Sequence, residues 1–270
     1  MNFVGKSFLC VLCVLVHFAG GCRAASRTNT AVDELILIPG GRFLDNHGSI
    51  RTVRSFHADA AEVTVAEYSE CVAAGHCSGE IRLVSDEFDR CVRAGFCRER
   101  HRNVGCNYRK VGRGDHPMNC VGIGHALQYC AWRKMSLPTE WEWEWMARGG
   151  DAARRFPWGD ELPTCERAVM AQPRAEGSWY GCNADSTWPV GSKPAGKSYH
   201  GVMDLAGNVA ELVLAEEERL FARRGGSFGQ SAPFDFEVYP QTEPAGFSGE
   251  FPFSSASSDD GFRCIRRIEQ

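Results

Sequence analysis

Thirteen cysteines in 270 residues limit what this chain can become more than any other feature. In a reducing compartment so many thiols read as metal sites; in an oxidising one they read as disulfides. The N-terminus decides between the two. Lys6 precedes an apolar run of twelve residues from Phe8 to Ala19, followed by Gly20, Gly21 and Cys22. That run falls short of the ~20 residues a membrane-spanning helix needs. A short basic start, a short apolar core and small residues behind it make an export signal over 1–24, with a polar linker over 25–33. Three readings of its processing stand side by side: a lipobox-like site that leaves Cys22 as a lipidated N-terminus, ordinary cleavage after Ala24, and an uncleaved anchor. All three place residues 34–270, read as a single domain, outside the cytosol in the cell envelope or the medium.

Cys10 and Cys13 leave with the signal and Cys22 is lipidated or removed, so ten cysteines remain: Cys71, Cys77, Cys91, Cys97, Cys106, Cys120, Cys130, Cys165, Cys182 and Cys264. An even number is accounted for most simply by five bridges. No Cys-x-x-Cys occurs, which argues against thioredoxin-like redox chemistry and a zinc ribbon; His76 beside Cys77 keeps a Cys/His zinc site as the minor alternative. Lys+Arg 30 against Asp+Glu 34 gives a net charge of -4, which argues against a general nucleic-acid binder.

Glu34 to Ile38 is an apolar run closed by Pro39-Gly40-Gly41, the pattern of a short strand and turn. Thr64 and Glu67 are spaced as a capping box, and the helix they open carries Tyr68, Cys71 and Val72 on one face. That helix starts a small repeat inserted at 68–97. Tyr68 to Cys77 recurs as Phe88 to Cys97 twenty residues on, each copy holding Cys-x5-Cys with Gly75 or Gly95 at the left-handed position that ends a helix. A second helix is expected over Ile123 to Trp132, with Ala126, Leu127, Cys130 and Ala131 on its apolar face. A third begins at Thr139, boxed by Glu142, and stops at Gly149-Gly150. Trp141 and Trp145 lie one turn apart on it, Trp143 points elsewhere, and all three are expected in the core. Past Pro157 the runs are short and rich in Gly and Pro, so turns and loops dominate and help from staples or ions is needed.

Several segments together resemble the formylglycine-generating enzyme, or sulfatase-modifying factor, family. They are Ile38-Pro39-Gly40-Gly41-Arg42-Phe43, Glu62-Val63-Thr64-Val65, His116-Pro117-Met118-Asn119-Cys120-Val121 and Tyr129-Cys130-Ala131-Trp132. Leu137-Pro138-Thr139-Glu140, Glu142-Trp143-Glu144, Ala147-Arg148-Gly149-Gly150, Pro157-Trp158-Gly159 and Pro189-Val190-Gly191 follow. Met203-Asp204-Leu205-Ala206-Gly207-Asn208-Val209-Ala210-Glu211 is the most diagnostic stretch, and Arg224-Gly225-Gly226-Ser227 and Gly261-Phe262-Arg263-Cys264 complete the series in the family's order. The resemblance implies an α+β, irregular, loop-rich C-type-lectin-like fold, disulfide-stapled, and a bridge from Cys130 to Cys264. Sequence proximity then pairs the rest as Cys71–Cys77, Cys91–Cys97, Cys106–Cys120 and Cys165–Cys182.

The resemblance also bears on metals. Calcium takes ~6–8 oxygens, part carboxylate and part backbone carbonyl. Asp204 and Glu211 are hard donors flanking a loop of small residues, with the carbonyls of Gly207 and Val209 between them, and the family places a structural calcium at these positions. The family's enzyme oxidises a sulfatase cysteine to formylglycine with oxygen and copper(I) held by two cysteines, and soft thiolates are what Cu(I) needs. At the two matching positions this chain has Gln230 and Asp235, so copper is not expected. Ser227, Gln230 and Asp235 remain as remnants of a groove, and no histidine or acid near Ser227 in sequence makes it a nucleophile. Three functions follow. One is an exported, non-catalytic binding or scaffold module for a protein, peptide or glycan ligand, touching the membrane only through a lipid anchor. The others are an active formylglycine-generating oxidase and a structural lipoprotein of an envelope complex.

Overall fold

Pro39-Gly40 folds the first apolar run back on itself, as the turn chemistry requires. In the computed structural model, which describes residues 35–45, 48–81, 105–174, 177–215, 221–231 and 256–268, Leu35–Ile38 is strand β1 and Gly41–Leu44 is strand β2. β2 forms an antiparallel hairpin with β3 (Ile50–Val53), and β1 pairs with β4 (Phe56–Asp59) in the register Leu35 to Asp59. Gly41 has to be glycine. A Cβ there would lie 2.6 Å from the ring of Trp145, whose indole Nε1 donates to the Pro39 carbonyl at 2.7 Å.

The strand after β4 in space is the last in sequence. Ordered by position along the chain, β5 (Gln172–Arg174) and β6 (Gly177–Trp179) make a separate antiparallel pair. β7 (Ala210–Leu214) is the centre of a three-stranded sheet, antiparallel to β8 (Phe221–Arg224) and parallel to β9 (Asp260–Gly261). β10 (Ile265–Arg267) then pairs antiparallel with β4, Ile265 facing Ala58. Early and late segments are therefore zipped together. The Cys130–Cys264 bridge, across a sequence separation of 134, locks the same junction.

The helices form where local signals place them. α1 (Val65–Ala73) starts at Thr64, whose Oγ1 accepts from the Glu67 amide while the Glu67 carboxylate accepts from the Thr64 amide. It ends at Ala74 with Gly75 left-handed at φ 76°, and Cys71–Cys77 closes across that end. α2 (Ile123–Trp132) buries Ala126 and Cys130 as the periodicity requires. Ala131, expected on the apolar face, is exposed instead. The buried face is carried round by His125 and Tyr129, whose ring packs against Tyr68 and Phe262. α3 (Glu140–Ala147) has the Thr139–Glu142 capping box and stops at left-handed Gly149. Trp143 and Trp145 are buried and Trp141 is half-buried under the Arg51 guanidinium.

Two apolar clusters sit on either side of β7, because successive side chains of a strand point to opposite faces. Leu212 enters the cluster of Tyr68, Met118, Tyr129 and Phe262, and Val213 enters that of Phe56, Trp143, Trp145 and Ile265. Four disulfides staple the described residues: Cys71–Cys77, Cys106–Cys120, Cys130–Cys264 and Cys165–Cys182. The second repeat copy with Cys91 and Cys97, the N-terminal segment with Cys22, and Asp235 lie outside the described residues.

Candidate functional site

The stretch 203–211 is held in a shape that few residues tolerate. Asp204, Gly207 and Asn208 all have positive φ, at 57°, 80° and 61°. At Gly207 a Cβ would come within 2.5 Å of the Val169 carbonyl oxygen, so glycine is required for both conformation and space. The following Asn208 is tied on both sides. Its Oδ1 accepts from the Trp188 amide at 2.9 Å and its Nδ2 donates to Glu62 Oε2 at 2.6 Å. Glu62 Oε1 also accepts from the Val209 amide at 3.0 Å.

Glu211 leads to the centre of the molecule. Its carboxylate takes a bidentate pair from Arg263, with Nε to Oε2 at 2.8 Å and Nη2 to Oε1 at 2.5 Å, and Oε2 also accepts from Trp143 Nε1 at 2.9 Å. Arg263 donates further to the Asp59 and Met203 carbonyls and is wholly buried. Three buried carboxyls, Glu62, Asp204 and Glu211, thus surround one guanidinium. Burial, and then the negative charges of Asp204 and Glu211, push Glu62 well above the usual carboxylate range. Burial pushes Asp204 up to about 6, against the hydrogen bond it accepts from the Gly191 amide at 2.5 Å.

Asp204, Gly207, Val209 and Glu211, the positions read for calcium, lie together in this stretch, with Glu211 accepting from Arg263 and from the Trp143 indole and Asp204 from the Gly191 amide. Sequence reading missed Glu62 and Arg263 as members of this cluster. The available signal was an arginine beside a bridged, buried cysteine in Gly261-Phe262-Arg263-Cys264, a position that demands a buried partner.

The Arg224 to Ser227 turn is fastened to the same loop by hydrogen bonds from the Gly207 amide to the Gly225 carbonyl and from the Phe228 amide to the Asn208 carbonyl. Ser227 is fully buried; its Oγ donates to Asp259 Oδ2 at 3.0 Å and accepts from the Gly229 amide at 3.2 Å. Asp259 Oδ1 accepts from Ser258 Oγ at 3.1 Å. A carboxylate is far too weak a base to ionise a serine hydroxyl, so this is a turn-fixing bond and no nucleophile results. Gln230 is held through its backbone: its amide donates to the Ser227 carbonyl and its carbonyl accepts from the Ala171 amide. The structure brings Ser227 and Gln230 together.

A cavity of ≈ 690 Å³, a size suited to a small ligand, opens elsewhere. Its walls include Ile36, Val63 and Met203 together with Glu62, Glu67 and His200, and neither Ser227 nor Gln230 lines it. Glu67 is pushed up to about 7 by burial, and burial followed by the Arg154 charge pulls His200 down.

A family model described as a sulfatase-modifying factor enzyme 1-like domain matches residues 22–268. The chain is 28% identical to a Bos taurus protein named inactive C-alpha-formylglycine-generating enzyme 2, across 97% of this chain and 96% of that protein. It is 32% identical to the formylglycine-generating enzyme of Streptomyces coelicolor, across 65% of this chain and 67% of that enzyme. In fold it is similar to PvdO from Pseudomonas aeruginosa, with a TM-score of 0.59 at 21% identity over 87% of this chain and 94% of the other. It is also similar to CarF, with a TM-score of 0.58 at 19% identity over 89% and 100%.

Proposed function

The chain belongs to the sulfatase-modifying factor enzyme 1-like family, and from that premise we propose that it is an exported, non-catalytic member, a binding or scaffold module without the oxidase chemistry. One observation carries the reading. The position after the Arg-Gly-Gly-Ser turn where the family's enzyme places a copper-binding thiol is Gln230, and every cysteine among the described residues is already committed to a bridge. Copper(I) needs soft thiolates, and an amide with a bonded backbone offers only hard donors. Asp235, at the second matching position, is an oxygen donor as well.

The family signatures support the same reading in another way. Glu62, Trp143, Asn208, Glu211 and Arg263 come from motifs spread along the chain, and they meet in a buried network whose groups bond to one another. Their role is to hold the fold. Family resemblance therefore transfers the scaffold without transferring the reaction. Four bridges agree with an oxidising location and hence with export. A relative of similar length bears a name that calls it inactive.

The test is copper(I) competition under oxygen-free conditions. Purified protein is titrated with Cu(I) against a colorimetric Cu(I) chelator, with an active formylglycine-generating enzyme alongside. This chain leaves all copper with the chelator while the enzyme withdraws one equivalent. One equivalent withdrawn by this chain would overturn the reading.

A further inference from the structure

The ≈ 690 Å³ cavity is one-sided in its charges. β1 gives it Leu35 and Ile36, the segment from Asp59 to Glu67 gives it three carboxyls, and the turns at 190–203 complete it with Val190, His200 and Met203. Asp59, Glu62 and Glu67 all line it, and no lysine or arginine does. His200, the remaining titratable group, is pulled towards its neutral form by burial and then by the Arg154 charge, so it brings no cation either. A mainly apolar space with a few polar groups converging on it is what a small-molecule site requires.

Of the six carboxylate oxygens in this lining, five accept hydrogen bonds from the protein. Asp59 accepts from Arg133 at 3.0 Å and from the Cys264 amide at 2.9 Å, and Glu62 accepts from Asn208 and the Val209 amide. Glu67 Oε2 accepts from the amide and the hydroxyl of Thr64, both at 2.7 Å. Glu67 Oε1 is the sixth. Among the described residues only Arg133 Nη1 comes near it, at 3.9 Å, beyond hydrogen-bond reach and already serving Asp59. One guanidinium thus answers two carboxyls. The Glu67 side chain is 15% exposed, so it is recessed without being sealed. The simpler reading is a helix cap whose excess charge is relieved by protonation, since burial pushes Glu67 up to about 7. Capping uses Oε2 alone, however, and accounts neither for the free Oε1 nor for the space that Glu67 lines.

We infer that this cavity binds a small organic amine as its ammonium ion, with Glu67 Oε1 accepting from the charged head and the apolar walls covering the hydrocarbon part. An anion is disfavoured, because carboxyls line the space and no cation does. A neutral alcohol can donate to Oε1 but gains nothing from its charge. An ammonium makes a charge-assisted bond in the same place, roughly twice as strong as a neutral one. The inference goes beyond the non-catalytic reading and does not rest on it. Neither Ser227 nor Gln230 lines this cavity, so its failure leaves the copper competition result untouched.

The test uses the whole purified chain with its bridges intact and follows three probes of similar size by calorimetry near neutral pH: 2-phenylethylamine, 2-phenylethanol and phenylacetate. The amine binds about ten-fold or more tightly than the alcohol, the scale of a charge-assisted bond against a neutral one, and phenylacetate binds more weakly than either. Glu67→Gln keeps an oxygen for the Thr64 cap, removes the charge and brings the amine down to the affinity of the alcohol. Glu70→Gln, which changes an exposed acid of α1 outside the lining, leaves amine binding as it was. Val190→Trp fills the space without altering its charges and abolishes binding of the amine. Thermal melts establish that each variant is folded. Equal affinity for amine and alcohol, tighter binding of phenylacetate, an amine affinity that ignores Glu67→Gln or Val190→Trp, or no binding of any probe would each overturn it.

Discussion

Arg263→Met isolates the buried network. In the native protein the guanidinium makes two bonds to Glu211 and one each to the carbonyls of Asp59 and Met203. Methionine fills similar volume and supplies none of them. Glu211 keeps only the indole of Trp143, and three carboxyls share a buried space without a cation. Breaking one side of a buried pair costs about 3–5 kcal/mol. At roughly 2–4 °C per kcal/mol for a domain of this size, the melting temperature should fall by about 6–20 °C. A second signature separates this loss from simple mispacking. Without Arg263 the folded-state pKa values of Glu62 and Asp204 rise further, so their protonation stabilises the variant at low pH and that help is lost as pH rises. The gap to wild type therefore narrows from pH 8 to pH 5. Adding Glu211→Leu should recover most of the loss, since an apolar pair can replace a buried ionic one. Circular dichroism melts without reductant read all of this. A fall under about 3 °C, or a gap that ignores pH, would refute a charged, buried network.

Other outcomes follow from the same contacts. Asp204 has a folded-state pKa raised from 3.8 to about 6, so its contribution is present at pH 4 and lost as pH rises through 6. Asp204→Asn should gain on wild type by up to about 3 kcal/mol over that window, and a pH-independent difference would contradict the burial of that carboxyl. Replacing Cys130 and Cys264 by serine should cost about 5 kcal/mol, and replacing Cys71 and Cys77 only about 2, because the loops closed differ so much in length. Equal losses in denaturant titrations would go against the loop argument. If Asp204 and Glu211 hold calcium as the sequence leads one to expect, added calcium should raise the melting temperature, and Asp204→Ala with Glu211→Ala should remove that stabilisation. Melting curves that ignore both calcium and chelator would go against the cation site.

Local signals made the scaffold legible and left its centre hidden. The capping boxes at Thr64 and Thr139 and the stop at Gly149 fix helix ends with residues a few positions apart, so sequence spacing is enough. Glu211 meets Arg263 across 52 residues and Glu62 meets Asn208 across 146, distances at which spacing says nothing of partners. Read alone, Asp204 and Glu211 are two hard donors on one loop, with no hint of Arg263 or Trp143 beside them. Three-dimensional pairing also makes the same oxygens acceptors for the protein's own donors. Ala131 was misplaced for a related reason. Periodicity gives the angular width of a buried face, while the aromatic stack of Tyr68, Tyr129 and Phe262 decides where that face is centred.

The claim at the heart of this account is that the family scaffold persists here without its oxidation chemistry. Incubating the pure protein with copper(I), oxygen and a peptide bearing Cys-x-Pro-x-Arg, and reading the peptide by mass spectrometry, tests it most directly. The account predicts unmodified cysteine peptide at the level of the copper-free control. Accumulation of the formylglycine aldehyde above that control would contradict it.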